Sequence, residues 1–174
     1  TNPDKPAGRG LKIQESDVKK CAKKYNIKIY QPHNLSNKEF LKIIEEIKPD
    51  LIIVIAFQKL PKSIWEIPKF GTFNLHASIL PNYRGAAPIN WAIINGEKET
   101  GLTSFFINEN IDHGDILLQK KITIDINDDF KSIHDKLMIQ SKEITINTIK
   151  SIFNKIIKPK KQQKSNTKKA PKIF

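Results

Sequence analysis

Residues 71–88 read GTFNLHASILPNYRGAAP, and this stretch decides the predicted fold. Its apolar residues Phe73 and Leu75 alternate with the polar residues Asn74 and His76, and small residues and a proline follow. This pattern is typical of a strand that ends in a loop. Side chains two positions apart lie on the same face of a strand, about 7 Å from each other. Because ligands bind where strand ends meet loops in open α/β sheets, Asn74 and His76 are candidate site residues.

The rest of the chain alternates strand and helix patterns around this stretch. Residues 51–56, LIIVIA, are apolar on both faces, which predicts a buried parallel strand. Apolar spacing predicts helices at 16–25, 37–47, 88–95 and 133–153, and strands at 27–30, 101–107 and 115–124. The first ten residues are rich in turn formers, so we expect a loop there. The predicted fold is α/β, an open, mainly parallel twisted sheet with flanking helices.

Composition limits the class of protein. The chain of 174 residues is long enough for one domain with a proper core. A single cysteine, Cys21, excludes an internal disulfide, and without a Cys/His cluster we expect no metal site. No apolar run is long enough to span a membrane, so we expect a cytoplasmic protein without a membrane partner.

The formal net charge of +12 predicts a polyanionic partner. The alternative is a compositional bias, since the chain is rich in Lys, Ile and Asn throughout. Arginine is more informative, because Arg9 and Arg84 are the only arginines among 30 basic residues and both lie beside glycine. Lys replaces Arg poorly where a planar group must contact phosphate or carboxylate. We therefore expect specific contacts at Arg9 and Arg84.

An Asn-x-His pattern alone favours two side chains that only satisfy loop backbone. The residues that follow, Ser-Ile-Leu-Pro at 78–81 and Arg-Gly-Ala-Ala-Pro at 84–88, change this interpretation. With them, the stretch resembles the signature of the folate-dependent formyltransferases, and residues 111–115, IDHGD, resemble the second signature of that family. The resemblance extends over residues 3–174 and is greatest to the branch of the family that acts on methionyl-tRNA.

The resemblance implies the Rossmann-like formyltransferase fold and a set of site residues. It assigns catalysis to Asn74, His76 and Asp112, and folate binding to Ser78, Ile79, Leu80 and Pro81. It implies 10-formyltetrahydrofolate as the donor, the initiator methionyl-tRNA as the acceptor, a monomer, and no metal. It also implies that the basic loop PDKPAGRG contacts the tRNA acceptor stem through Lys5, Arg9 and Lys12, whereas the residues alone favour a solvated surface loop.

Formyl transfer to an amine needs a donor for the oxyanion and a route for protons. Asn74 offers an amide N–H that does not titrate, and His76 can donate as imidazolium and pass on a proton near neutral pH. Asp112 would orient the imidazole or relay protons, although without the resemblance a turn role is the better interpretation. A Ser/His/Asp triad fits less well, because Ser78 follows His76 too closely and lacks a nucleophile-elbow pattern.

The resemblance also implies boundaries. We expect residues 1–157 to form a catalytic domain without the family's first strand and helix. Residues 158–174, rich in Lys, would be an extended or disordered linker toward a C-terminal domain that lies outside the chain. Three alternatives stay open: formyltransferases acting on amino sugars, formyltransferases acting on glycinamide ribonucleotide, and a non-catalytic RNA-binding module.

Overall fold

The computed structural model describes residues 1–7, 12–163 and 167–174. The chain divides into two compact units. The first comprises residues 1–49 and 57–67, and the second comprises residues 50–56 and 68–174.

The first unit contains a small hairpin and three helices. Its elements are β1 (Lys5–Ala7), β2 (Lys12–Gln14), α1 (Asp17–Lys24), α2 (Lys38–Ile47) and α3 (Lys62–Trp65). Ser16 caps α1 by accepting a hydrogen bond from the Lys19 amide at 3.2 Å, and Asn37 caps α2 through the Glu39 amide at 2.8 Å. Both helices therefore begin where the sequence predicts, because short polar side chains satisfy their free N-terminal amides.

Two predictions for the first unit are wrong. Residues 5–7, part of the predicted loop, form β1, which pairs antiparallel with β2 so that Pro6 lies opposite Ile13, and residues 8–10 of that loop lie outside the described residues. Residues 27–30, predicted to be a strand, belong to none of the strands that the structure describes. The amide of Ile27 donates instead to the carbonyl of Ala22 at the end of α1, at 2.9 Å. Strand propensity gives way here to the local bonds that end a helix.

The second unit contains the main sheet and the longest helix. Its elements are β3 (Ile52–Ile55), β4 (Thr72–His76), β5 (Arg84–Gly85), α4 (Pro88–Ile94), β6 (Glu99–Phe106), β7 (Ile116–Thr123), α5 (Phe130–Phe153) and β8 (Lys169–Ala170). The main sheet has the order β3-β4-β6-β7. An open sheet with helices confirms the predicted α/β class.

The prediction of a mainly parallel sheet is wrong in detail, because the described sheet is mixed. The pair β3–β4 is parallel, whereas β4–β6 and β6–β7 are antiparallel. The loop at 107–115 is too short for the crossover that parallel neighbours need, so β7 must return beside β6 in the opposite direction. In addition, β3 is not buried on both faces, since Ile53 and Ile55 are 38% and 54% exposed.

The core of the second unit lies between α5 and one face of the sheet. One cluster joins Phe73, Leu117 and Ile152, and a second contains Leu75, Leu102, Ile133, Leu137 and Ile144. Phe73 is fully buried and Leu75 is 8% exposed. Since both face the core, the alternation of β4 directs Asn74 and His76 to the opposite face.

The described parts of the C-terminal segment, residues 158–163 and 167–174, include residues that pair with the second unit, and its role as a linker stays a prediction. Lys160 forms an antiparallel bridge with Ile116, and β8 pairs parallel with β5 through Gly85 and Ala170. The side chain of Ala170 is fully buried. This segment therefore contributes to the structure around β5.

We expect Phe73→Ala to lower the free energy of unfolding by about 3 kcal/mol or more, because it leaves a cavity beneath β4. Phe174→Ala is the matched control, since Phe174 is fully exposed. Urea unfolding of the two variants measures the difference, and equal losses would contradict the core described above.

Candidate active site

Strand β4 positions the two candidate side chains that sequence analysis placed on one face. It is paired on both sides, with Asn74 opposite Val54 of β3 and opposite Phe105 of β6. His76 lies opposite Thr103 of β6. Strand pairing on both sides and the buried residues between them fix where both polar side chains point.

The imidazole of His76 is 7% exposed and faces two acceptors. Its Nε2 lies 2.8 Å from the backbone carbonyl of Tyr83, so Nε2 must carry the proton and donate. Its Nδ1 lies 3.8 Å from Oδ2 of Asp112. That distance is too long for a hydrogen bond but short enough for charge attraction. Asp112 therefore makes no hydrogen bond to the ring, and the Tyr83 carbonyl orients it. The roles expected of Asp112, holding the imidazole or relaying protons, stay predictions.

Asp112 lies in the loop between β6 and β7 and is held at both its backbone and its side chain. Its φ of 57° is in the left-handed region, which non-glycine residues rarely adopt. Its Oδ2 accepts a hydrogen bond from the Gly85 amide at 3.0 Å. Its carbonyl accepts from Arg84 Nε and from Gln162 Nε2, each at 3.0 Å. The carboxylate is thereby directed at the His76 ring.

The carboxamide of Asn74 is incompletely bonded. Its Oδ1 is buried, and no described residue donates a hydrogen bond to it. Buried polar atoms in folded proteins are nearly always paired. A buried acceptor left in this state beside His76 suits a ligand that donates a hydrogen bond to it.

Tyr83 is held along its whole length. Its amide donates to the carbonyl of Lys168 at 2.6 Å. Its hydroxyl contacts Glu97 and accepts from Asn95 Nδ2 at 3.1 Å. Burial, and then the neighbouring Glu97, raise the pKa of Tyr83 above its usual 10.0, so the hydroxyl stays protonated and donates to the carboxylate. These bonds fix the carbonyl that accepts from His76.

The loop at 78–81, assigned to folate by resemblance, follows β4 and is fixed by hydrogen bonds. Ser78 is fully buried and its Oγ donates to the Asn82 carbonyl at 2.7 Å. The amide of Leu80 donates to Thr103 Oγ1 at 3.1 Å. Ile79 and Pro81 are only partly buried. Of the four side chains, these two are therefore the ones accessible to a ligand.

The basic residues assigned to tRNA lie in the first unit. Lys5 is exposed on β1 and Lys12 belongs to β2. Arg9 lies outside the described residues. Contact of these residues with tRNA stays a prediction.

Sequence reasoning missed three contributors to the site. Two are backbone groups, the Tyr83 carbonyl and the Gly85 amide, and these carry no residue-type signal. The third is the side chain of Gln162, in a segment interpreted as a linker. Arg84 was singled out by the scarcity of arginine, and it lies against Asp112 and Gln162. Burial lowers the pKa of Arg84, while the charge of Asp112 acts in the opposite direction.

Within the described part of the chain, no group of three or more His, Cys, Asp or Glu side chains is placed to bind a metal ion. No helix in those same residues is long and apolar enough to cross a membrane.

Comparison with known proteins places these features in a family. The sequence model described as formyl transferase matches residues 1–149. A methionyl-tRNA formyltransferase from Bacteroides thetaiotaomicron is 48% identical over 178 residues, covering 100% of this chain and 55% of its own length. One from Flavobacterium johnsoniae is 51% identical over 154 residues, covering 88% and 49%. The chain thus spans about half the length of the curated relatives it matches.

Solved structures with the same fold include a sugar 3N-formyltransferase, WlaRD, determined with dTDP and 5-N-formyl-THF. It is 28% identical with a TM-score of 0.70, over 89% of this chain and 53% of WlaRD. HypX from Aquifex aeolicus, determined with tetrahydrofolic acid, is 25% identical with a TM-score of 0.67, over 77% of this chain and 23% of HypX.

We expect Gly85→Ala to destabilise the protein more than Gly96→Ala. Both glycines have positive φ, at 124° and 63°, so each substitution carries a backbone cost of about 1 kcal/mol or more. Only at Gly85 would the new Cβ meet backbone, 2.4 Å from the Ala170 carbonyl, whereas nothing lies within 4 Å at Gly96. Thermal unfolding compares the two, and a smaller loss at Gly85 would contradict the described pairing of β5 with β8.

Proposed function

The chain belongs to the formyl transferase family, and on that premise we propose that it transfers the formyl group of 10-formyltetrahydrofolate to the amino group of initiator methionyl-tRNA. One observation carries the proposal. Asn74 and His76 project from the same face of β4, and the carboxylate of Asp112 lies 3.8 Å from the His76 ring. An amide donor, an imidazole and a carboxylate are the groups that this transfer needs.

Each of the three side chains has a distinct part in the proposed reaction. As the amine attacks the formyl carbon, negative charge develops on the formyl oxygen, and the Asn74 amide donates to it. The amine must lose a proton and the departing folate nitrogen must gain one. Because His76 Nε2–H is occupied by the Tyr83 carbonyl, the nitrogen available for that exchange is Nδ1, on the side of Asp112.

Asp112 lies beside the ring nitrogen that is left for proton exchange. When His76 carries the transferred proton, Nε2–H donates to the Tyr83 carbonyl, and Nδ1–H faces the carboxylate across 3.8 Å, which is an attraction between charges and not a hydrogen bond. The attraction between ring and carboxylate is strengthened by burial, since His76 and Asp112 are 7% and 9% exposed. The pair can therefore hold a proton between its arrival from the amine and its delivery to the leaving nitrogen.

The folate donor is supported by the family and by the loop that follows β4. WlaRD and HypX were determined with folates bound, and this chain shares their fold. We place the folate against Ile79 and Pro81, the partly exposed members of the loop, with Ser78 and Leu80 holding its backbone. The proposed transfer draws on the side chains of Asn74, His76 and Asp112.

The tRNA acceptor is supported by the curated relatives and by charge. Identity is 48% to a methionyl-tRNA formyltransferase and 28% to the sugar formyltransferase WlaRD. The net charge of +12 suits a polyanion. We assign tRNA contact to Lys5, Arg9 and Lys12 around the β1–β2 hairpin, and a cytoplasmic, monomeric enzyme fits this substrate.

We expect Asn74→Ala to lower the rate of formyl transfer about a hundredfold, the usual effect of removing one oxyanion donor. The measurement is single-turnover transfer from 10-formyltetrahydrofolate to methionyl-tRNA. Asn147→Ala is the control, because Asn147 is exposed on α5. If the variant folds and its transfer rate falls only a fewfold, Asn74 is not the oxyanion donor.

The acceptor is tested in the same assay by replacing methionyl-tRNA with a dTDP-linked amino sugar. We expect consumption of 10-formyltetrahydrofolate only with the charged tRNA. Consumption with the sugar and none with the tRNA would assign the chain to the sugar-modifying formyltransferases instead.

A further inference from the structure

The backbone of Asp112 needs external support. Its φ of 57° is unfavourable for a residue with a side chain, and such conformations persist where the surroundings impose them. The position matters because the same backbone determines where the carboxylate points. A small displacement of this loop would change the 3.8 Å separation between Asp112 Oδ2 and His76 Nδ1.

The side chain of Gln162 supplies much of that support. Its Nε2 donates to the Asp112 carbonyl at 3.0 Å and to the Gly114 carbonyl at 2.8 Å. It therefore bonds the loop on both sides of His113. Its Oε1 accepts from Arg84 Nε at 3.1 Å and from Arg84 Nη2 at 2.6 Å. Arg84 Nε donates to the Asp112 carbonyl as well, which closes a ring of hydrogen bonds.

A carboxamide suits this position for a chemical reason. It must donate to two carbonyls with one end and accept from a guanidinium with the other, and an amide has both capacities. A carboxylate could accept from Arg84 but would oppose the two carbonyls. A lysine could donate to the carbonyls but would repel Arg84.

Gln162 is itself fixed by neighbouring backbone pairing. Two residues before it, Lys160 and Ile116 exchange two backbone hydrogen bonds, of 2.8 and 2.9 Å. The carboxylate of Asp112 also depends on the C-terminal segment. Ala170 pairs with Gly85, and the Gly85 amide donates to that carboxylate. Backbone and carboxylate of Asp112 are thus both held with the help of the C-terminal segment.

We propose that Gln162 is a positioning residue, which holds the Asp112 loop so that the carboxylate faces His76 during formyl transfer. The proposal rests on the proposed function for its catalytic consequence. Its structural content, the hold on Asp112, can be measured without any turnover.

The kinetic test compares Gln162→Leu with Gln163→Leu, a neighbouring exposed glutamine. We expect Gln162→Leu to lower the single-turnover rate about tenfold or more, because a misplaced group near the reacting atoms loses rate steeply. The KM values for folate and tRNA should change less than about twofold, since Gln162 contacts neither substrate in this assignment. An unchanged rate, or an equal loss in Gln163→Leu, would overturn the proposal.

A double-mutant cycle separates positioning from general destabilisation. In an Asp112→Asn background, Gln162→Leu should cost less than about twofold further, because the group it positions is already altered. A full, independent loss in that background would overturn the proposal. If Gln162→Leu does not fold, Gln162→Glu takes its place in both kinetic comparisons with the same expected losses. A glutamate keeps an oxygen facing Arg84 but cannot donate to the carbonyls of Asp112 and Gly114.

The amide of Gly85 gives a readout that needs no catalysis. We expect its hydrogen exchange, followed by NMR, to rise about tenfold or more in Gln162→Leu and to stay unchanged in Gln163→Leu, because its carboxylate acceptor is displaced. Unchanged exchange in Gln162→Leu would overturn the positioning role. If exchange rises but the unaltered chain transfers no formyl group, the proposed function fails and the hold on Asp112 stands.

Discussion

The constraint on which the site depends is the alternation of a strand that is paired on both sides. Strand β4 lies between β3 and β6, and its Phe73 and Leu75 are committed to the core against α5. Neither residue can leave the core without a large loss of stability. Asn74 and His76 must therefore project from the opposite face, where the strand fixes the spacing between the carboxamide and the imidazole.

The groups that complete the site come from outside β4 and support one another. The Tyr83 carbonyl orients His76, the Gly85 amide holds the Asp112 carboxylate, and Gln162 holds the Asp112 backbone. Most of these bonds run through backbone atoms. The geometry of the site therefore depends chiefly on the backbone conformation, and the pairing of β5 with β8 contributes to it.

Sequence patterns predicted the parts of this fold that depend on local spacing. The period of β4 and the capped starts of α1 and α2 could be read directly. The candidate site residues came from the family resemblance, since the residues alone favoured a turn role for Asp112. The partner of the His76 ring could not, because a backbone carbonyl has no sequence signature. The bonds of Gln162 to Arg84 and Asp112 span a long stretch of chain, and nothing near Gln162 indicates them. The pairing of β1 with β2 was missed because turn-forming residues predict a bend but do not show that the residues on either side of it pair as strands.

The most direct test is single-turnover transfer of a labelled formyl group from 10-formyltetrahydrofolate to methionyl-tRNA, with His76→Ala beside the unaltered chain. We expect transfer by the unaltered chain and a loss of about a hundredfold or more in the variant, because the variant lacks the Nδ1 that exchanges the proton. Equal rates in the two proteins would show that His76 takes no part in the chemistry.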